Sequence, residues 1–190
     1  EIVEYFLQQQ VKMIVLACNT TSCTVLDYLK ERYPQVPIIG VIDTTVSMVN
    51  AKTMDKVAIM ATQATIESQA YQKGIGMDKS IGIACPKLVP LIENGTTKQI
   101  LHQELHTLLD EVTKECSNIV LGCTHYPIIA SDIKALYPHI RLFSSSVAVV
   151  GEVERKLEEL KLYHLGSSQK KNLVYKNCKR LTLSKYRVKS

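Results

Sequence analysis

Apolar and polar positions divide the chain into short apolar runs separated by stretches of helical spacing. Ile2, Val3, Phe6 and Leu7 share one helical face, so residues 1–10 read as the last turns of a helix. Val11 to Ala17 reads as a buried strand. Asn19 to Ser22 offers capping residues, Val25, Leu26 and Leu29 give the next helix an apolar face, and Pro34 and Pro37 end it. Ile38 to Ile42 is a strand whose unbroken apolar character points to a parallel sheet covered on both faces. A short helix over Thr44 to Ala51 and a strand over Lys56 to Met60 follow. Ala61-Thr62-Gln63-Ala64-Thr65 is a small-residue turn that opens a helix running to about Gln72, with Gly74 and Gly76 as its breakers. Ser80 to Ala84 is a strand ending at Cys85-Pro86, and Leu88 to Glu93 is a helical piece closed by Asn94-Gly95. Thr96-Thr97 starts a long amphipathic helix carrying Ile100, Leu101, Leu105, Leu108, Leu109 and Val112. A strand through Ile119, a helix over Ile128 to Leu136, a strand over Ile140 to Phe143 and a helix over Val147 to Leu162 complete the pattern. Such alternation predicts an α/β fold with mostly parallel sheets and flanking helices.

One unit is written twice. Ile14-Val15-Leu16-Ala17-Cys18-Asn19-Thr20 matches Ile119-Val120-Leu121-Gly122-Cys123-Thr124-His125. Each copy leads into a helix, a Tyr-Pro pair (Tyr33-Pro34, Tyr137-Pro138) and another apolar run, so the repeat is strand, Cys, helix, strand. In an open α/β sheet, ligands bind beyond the carboxyl ends of the strands. A cysteine between a buried strand and a helix sits at that edge, where the helix dipole favours thiolate. If the copies form two pseudo-symmetric lobes, Cys18 and Cys123 face each other across a cleft. Two thiols on opposite sides of one carbon suit a proton exchange in which one removes a proton and the other delivers one.

Composition changes this picture little. The chain has 190 residues and a hydrophobic content ordinary for a globular protein, enough for one domain or two small ones. No apolar run is long enough to span a membrane and no secretory signal opens the sequence, which points away from a membrane role. Six irregularly spaced cysteines with no Cys-x-x-Cys pair read as free thiols, and no metal site is expected. The net charge of +5 gathers at the end, where Lys170, Lys171, Lys176, Lys179, Arg180, Lys185, Arg187 and Lys189 occur without an acid. No nucleic-acid motif accompanies that tail, so it reads as a solvated terminus and no nucleic-acid partner is expected.

Cys18-Asn19-Thr20 together with Gly122-Cys123-Thr124-His125-Tyr126-Pro127 resembles the cofactor-independent aspartate/glutamate racemase family, and within it the glutamate branch. Ile39-Gly40-Val41-Ile42, Ala64-Thr65-Ile66-x-Ser68-x-Ala70-Tyr71 and Cys85-Pro86-x-Leu88-Val89-Pro90-Leu91-Ile92-Glu93-x-Gly95 agree with it, over roughly residues 1–162. The resemblance implies that Cys18 and Cys123 are catalytic, with His125 assisting Cys123 and Glu93 supporting His125. It implies that Asn19, Thr20, Thr62, Thr124 and His125 bind a small-molecule substrate, glutamate, with no cofactor and no metal. It further implies supply of D-glutamate for peptidoglycan, hence a bacterial cytoplasm; a homodimer is left open. Domain bounds follow: 1–46 a partial first lobe with Cys18, 47–146 a second lobe with Cys123, 147–166 a helix returning to the first lobe, and 167–190 the basic tail.

The departures are specific. Family members carry an Asp-Ser-Gly strand end and a Pro-Tyr-Gly loop upstream of the first cysteine, and only 17 residues precede Cys18 here. Ala61 stands where Gly is usual, and Ser144-Ser145-Ser146 replaces an Asp-Ser-Gly-like stretch. The expectation is therefore a first lobe lacking its N-terminal strands, with strongly reduced or no racemase activity in this chain alone. Two other readings stay open: an aspartate racemase, whose branch tends to carry Glu at the place of His125, and a catalytically dead binding module. A redox or metal protein using Cys18 and Cys23 is a poor third, because that spacing fits no standard site. Cys23, Cys85, Cys116 and Cys178 read as structural, and His102, His106, His139 and His164 as solvated.

Overall fold

A computed structural model of the chain describes residues 1–162. The calls on the basic tail, Cys178 and His164 lie outside the described residues. In chain order the elements are α1 (Ile2–Gln8), β1 (Ile14–Leu16), α2 (Asn19–Arg32), β2 (Ile38–Gly40), α3 (Val41–Lys52), β3 (Val57–Ala61), α4 (Gln63–Glu67) and α5 (Ala70–Ile75). There follow β4 (Ser80–Ala84), α6 (Leu88–Glu93), α7 (Lys98–Leu109), α8 (Val112–Glu115), β5 (Asn118–Gly122), a 3₁₀ turn (Tyr126–Ile129), α9 (Ala130–Leu136), β6 (Arg141–Ser144) and α10 (Ser145–Glu159).

The strands form two parallel sheets. β1 pairs with β2, with Ile14 opposite Ile38 and Leu16 opposite Gly40. The larger sheet runs β4-β3-β5-β6. Its inner strands are buried on both faces, and their residues alternate between two cores. Ala58, Met60, Ile119 and Leu121 face one formed with Leu101, Leu105, Leu109 and Ile133. Ile59, Ala61 and Val120 face the other, with Ile42, Val49 and Tyr71. Truncating one such side chain to Ala costs about 2–5 kcal/mol. A smaller cluster of Val3, Ile14, Leu26, Val36 and Ile38 underlies the two-stranded sheet. Helix α10 lies against α3 and touches β2 as well as β5 and β6. This is an α/β fold of parallel sheets with flanking helices. None of the described helices is long and apolar enough to cross a membrane.

Several expectations shift. The first strand is Ile14–Leu16 rather than Val11 to Ala17, because Gln10 takes a positive φ of 54° that turns the chain out of α1. Val41 and Ile42 belong to α3, so the strand stops at Gly40, and the expected boundary between residues 46 and 47 falls inside that continuous helix. The helix expected to Gln72 breaks at Gln69, whose φ is 56°, and Gly74 lies within α5. A Cβ on Gly74 would sit 2.7 Å from Val46 Cγ1, so this glycine lets α3 and α5 approach closely. Val112 starts a separate helix.

Candidate active site

The chain leaves β3 to form β4 on one side and later forms β5 on the other. The switch point of the larger sheet is therefore between β3 and β5, where open α/β sheets bind ligands beyond the strand ends. Thr62 directly follows β3 and Cys123 directly follows β5. Packing dictates what can precede that cysteine. A Cβ at Gly122 would lie 2.8 Å from the Met60 carbonyl oxygen and 3.1 Å from Ala61 Cβ, so only glycine fits without a shift.

Cys123 is buried, and burial pushes its thiol above the ordinary value. The backbone N–H of His125 pulls it back down, and the nearby Cys18 pushes it up again. Its sulfur lies 3.8 Å from His125 Nδ1, and His125 Nε2 lies 3.0 Å from Glu93 Oε1. An ionised carboxylate only accepts, so Nε2 carries the hydrogen and donates it to Glu93. In the neutral ring Nδ1 then accepts from the Cys123 thiol. Thr124 Oγ1 lies 3.5 Å from the same Nδ1. Helix α6, which ends at Glu93, rests on the 3₁₀ turn that follows His125, and this contact holds the two side chains together.

Cys18 is the N-cap of the fourteen-residue α2 and is exposed. Buried Asn19, Ser22 and Leu26 of α2 recur at helical spacing and press the helix inward. Ser22 Oγ donates to the Leu16 carbonyl at 3.0 Å and accepts from Val41 N at 3.3 Å, which ties the end of β1 to the start of α3. Thr20 Oγ1 is 2.8 Å from Thr62 Oγ1 and 3.3 Å from Thr65 Oγ1, and the last two are 3.0 Å apart. This threonine triangle fastens the first cysteine loop to the end of β3. Thr62 also caps α4 by accepting from Thr65 N, a contact of a kind worth about 1 kcal/mol. A second tie runs from Tyr71, whose hydroxyl donates to Asn19 Oδ1 at 2.6 Å. The Asn19 Nδ2 is buried and has no partner among the described residues.

The structure thus brings Cys123, Thr124, His125 and Glu93 into one set of contacts and Asn19, Thr20 and Thr62 into another. The two sets sit side by side where β3, followed by Thr62, pairs with β5, followed by Cys123. Thr65 and Tyr71 join them; the motif Ala64-Thr65-Ile66-x-Ser68-x-Ala70-Tyr71 contains both, and nothing in the sequence marks their contacts. Cys85 is buried beside this region, its carbonyl accepts from Tyr126 Oη at 3.3 Å, and burial pushes its thiol up to about 12, which makes it inert at neutral pH. Two histidines expected to be solvated are paired: His102 lies 2.9 Å from Asp132, and His106 lies 2.9 Å from Asp110. Among the described residues no group of three or more His, Cys, Asp and Glu side chains is arranged to hold a metal ion.

Residues 1–153 match the model of the Asp/Glu/Hydantoin racemase family. The chain belongs to this family. It is 41% identical over 170 residues to a glutamate racemase of Carboxydothermus hydrogenoformans, an alignment covering 85% of the chain and 62% of that relative. A Hydrogenobaculum glutamate racemase is 32% identical, over 97% of the chain and 80% of the relative. Among solved structures, glutamate racemase of Francisella tularensis in complex with D-glutamate superposes with a TM-score of 0.78 at 30% identity, over 86% of this chain and 63% of that one. The Thermus thermophilus enzyme in complex with β-chloro-D-alanine gives 0.77 at 35%, over 87% and 63%. The chain therefore spans under two thirds of the length of several of the proteins it matches.

Proposed function

We propose that the chain carries the two-thiol proton-exchange centre of a glutamate racemase, with Cys18 and Cys123 acting on opposite sides of the substrate α-carbon. The observation that carries this reading is the matched placing of the two cysteines: each follows a parallel strand, each precedes a helical turn, and the threonine triangle fastens the first cysteine loop to the end of β3, the neighbour of β5. In one direction the Cys18 thiolate removes the α-proton and the Cys123 thiol delivers one to the other face. In the reverse direction Cys123 must first lose its proton. His125 Nδ1 takes it, and the imidazolium so formed is held by Glu93 through Nε2. The ring keeps its place throughout because the Glu93 contact does not change hands.

The carbanion-like state places negative charge on the substrate carboxylate. Backbone N–H groups after each cysteine, with Asn19, Thr20 and Thr124, are the donors that meet it; Thr62 holds Thr20 in place. The unpartnered Asn19 Nδ2 is the donor most in need of an acceptor, since leaving such a group buried and unpaired costs about 1–3 kcal/mol. No cofactor enters these steps. The D-glutamate formed supplies peptidoglycan in a bacterial cytoplasm.

The test is optical. Purified chain is incubated for days with L-glutamate and with D-glutamate, and the circular dichroism of the amino acid is followed, with aspartate as the control. The reading predicts decay of the glutamate signal from both sides toward zero while aspartate is unchanged. A folded chain that leaves both glutamate signals constant, or that racemises aspartate as fast, would overturn it.

A further inference from the structure

Tyr71 is fully buried in α5, yet it reaches both cysteine loops. Its hydroxyl lies 2.6 Å from Asn19 Oδ1, one residue after Cys18. Its ring edge lies 3.3 Å from where a Cβ on Gly122, one residue before Cys123, would sit. Burial holds the phenol well above its ordinary value, so it stays protonated and acts as a donor. A donor at that place demands the carbonyl side of the Asn19 amide. The Nδ2 hydrogens are thereby left on the other side, and Nδ2 is the group without a partner.

Building on the racemase reading, we infer that Tyr71 is a positioning residue: its hydroxyl sets the orientation of the Asn19 amide so that Nδ2 is presented to the substrate, and its ring is the wall against which the second cysteine loop closes. Tyr71 touches no substrate. It acts through Asn19 on the first loop and by packing its ring beside Gly122 on the second, so one side chain keeps the two loops in register.

Tyr71→Phe keeps the ring and removes the hydroxyl. The expected result is a KM for glutamate raised about tenfold, the worth of one hydrogen bond of about 1.4 kcal/mol, with the unfolding temperature lowered by a few degrees because buried Asn19 Oδ1 loses its donor. Asn19→Ala raises KM by at least as much, and adding Tyr71→Phe to it raises KM no further, because the hydroxyl acts only through that amide. In the free protein the Asn19 side-chain ¹⁵N–¹H pair shifts in Tyr71→Phe. An Asn19 pair that stays in place, or KM effects that add in the double variant, would overturn the inference. The nuclear magnetic resonance arm needs no turnover. A wild-type chain that leaves glutamate untouched thus counts against the racemase reading alone, while the Asn19 signal still decides the role of Tyr71.

Discussion

The two cysteine loops share a sequence pattern and differ in what surrounds them. Cys18 lies two residues past a three-residue strand in a two-stranded sheet, follows exposed Ala17, and is itself exposed. Cys123 ends a five-residue strand paired on both sides, follows a glycine pressed against the β3 backbone, and is buried. The same motif thus produces two thiols of different character. Burial favours the protonated form of Cys123, and its sulfur lies within hydrogen-bond reach of a histidine backed by a carboxylate. Among the described residues no histidine or carboxylate hydrogen-bonds the Cys18 sulfur. Environment, not motif, assigns the starting protonation of Cys123, and the proposed mechanism uses that difference to draw an acid and a base from identical side chains.

The largest effect on this contrast comes from His125→Ala. In the proposed mechanism it removes the proton carrier of Cys123, so it should lower racemisation on the order of 100-fold in steady-state assays, with little change in unfolding temperature. Gly122→Ala attacks the packing side of the same contrast. The added methyl meets the Met60 carbonyl, so a loss of about 1–3 kcal/mol is expected. That is about 2–4 °C in melting temperature for each kcal/mol. Ala17→Gly, at the matching exposed position, should cost under about 1 kcal/mol.

Alkaline titration gives a graded effect. Cys123 and Cys85 hold their protons longer in the native state than in the unfolded chain, because burial raises both. Above the ordinary thiol value unfolding therefore releases protons, and stability falls as pH rises through that range toward about 12. Denaturant melts at stepped pH should show this decline, and Cys85→Ala should flatten it. The smallest effect is expected from Glu93→Gln. The Glu93 side chain is 61% exposed, so stability should change by less than about 1 kcal/mol. Gln can still accept from Nε2 through its amide oxygen, so racemisation should drop by no more than about tenfold.

Much of this fold is legible in the sequence because local signals and tertiary packing agree. Ser80–Ala84 and Leu88–Glu93 are found at the bounds their turn residues and apolar runs predict. The failure at Val41 has a physical cause: a short apolar run reads alike as buried strand or buried helix. Gly74 reads as a breaker, but the close approach of Val46 explains a glycine inside α5. In the site, Cys18, Cys123 and His125 stand out because a repeated chemical pattern marks them. Thr65, Tyr71 and the pairing of His102 with Asp132 do not, since each depends on a neighbour 30 or more residues away.

The central claim is that two thiols act from opposite sides of one carbon. The most direct test is exchange of the glutamate α-proton in D₂O, followed by nuclear magnetic resonance for L- and D-glutamate separately, with wild type, Cys18→Ala and Cys123→Ala. Exchange accumulates over days and so reads even a slow reaction. The account predicts deuterium entering the α-position from both enantiomers with wild type, with racemisation lost in each variant. Racemisation that persists in either single-thiol variant, or a folded wild-type chain that exchanges neither enantiomer, would contradict it.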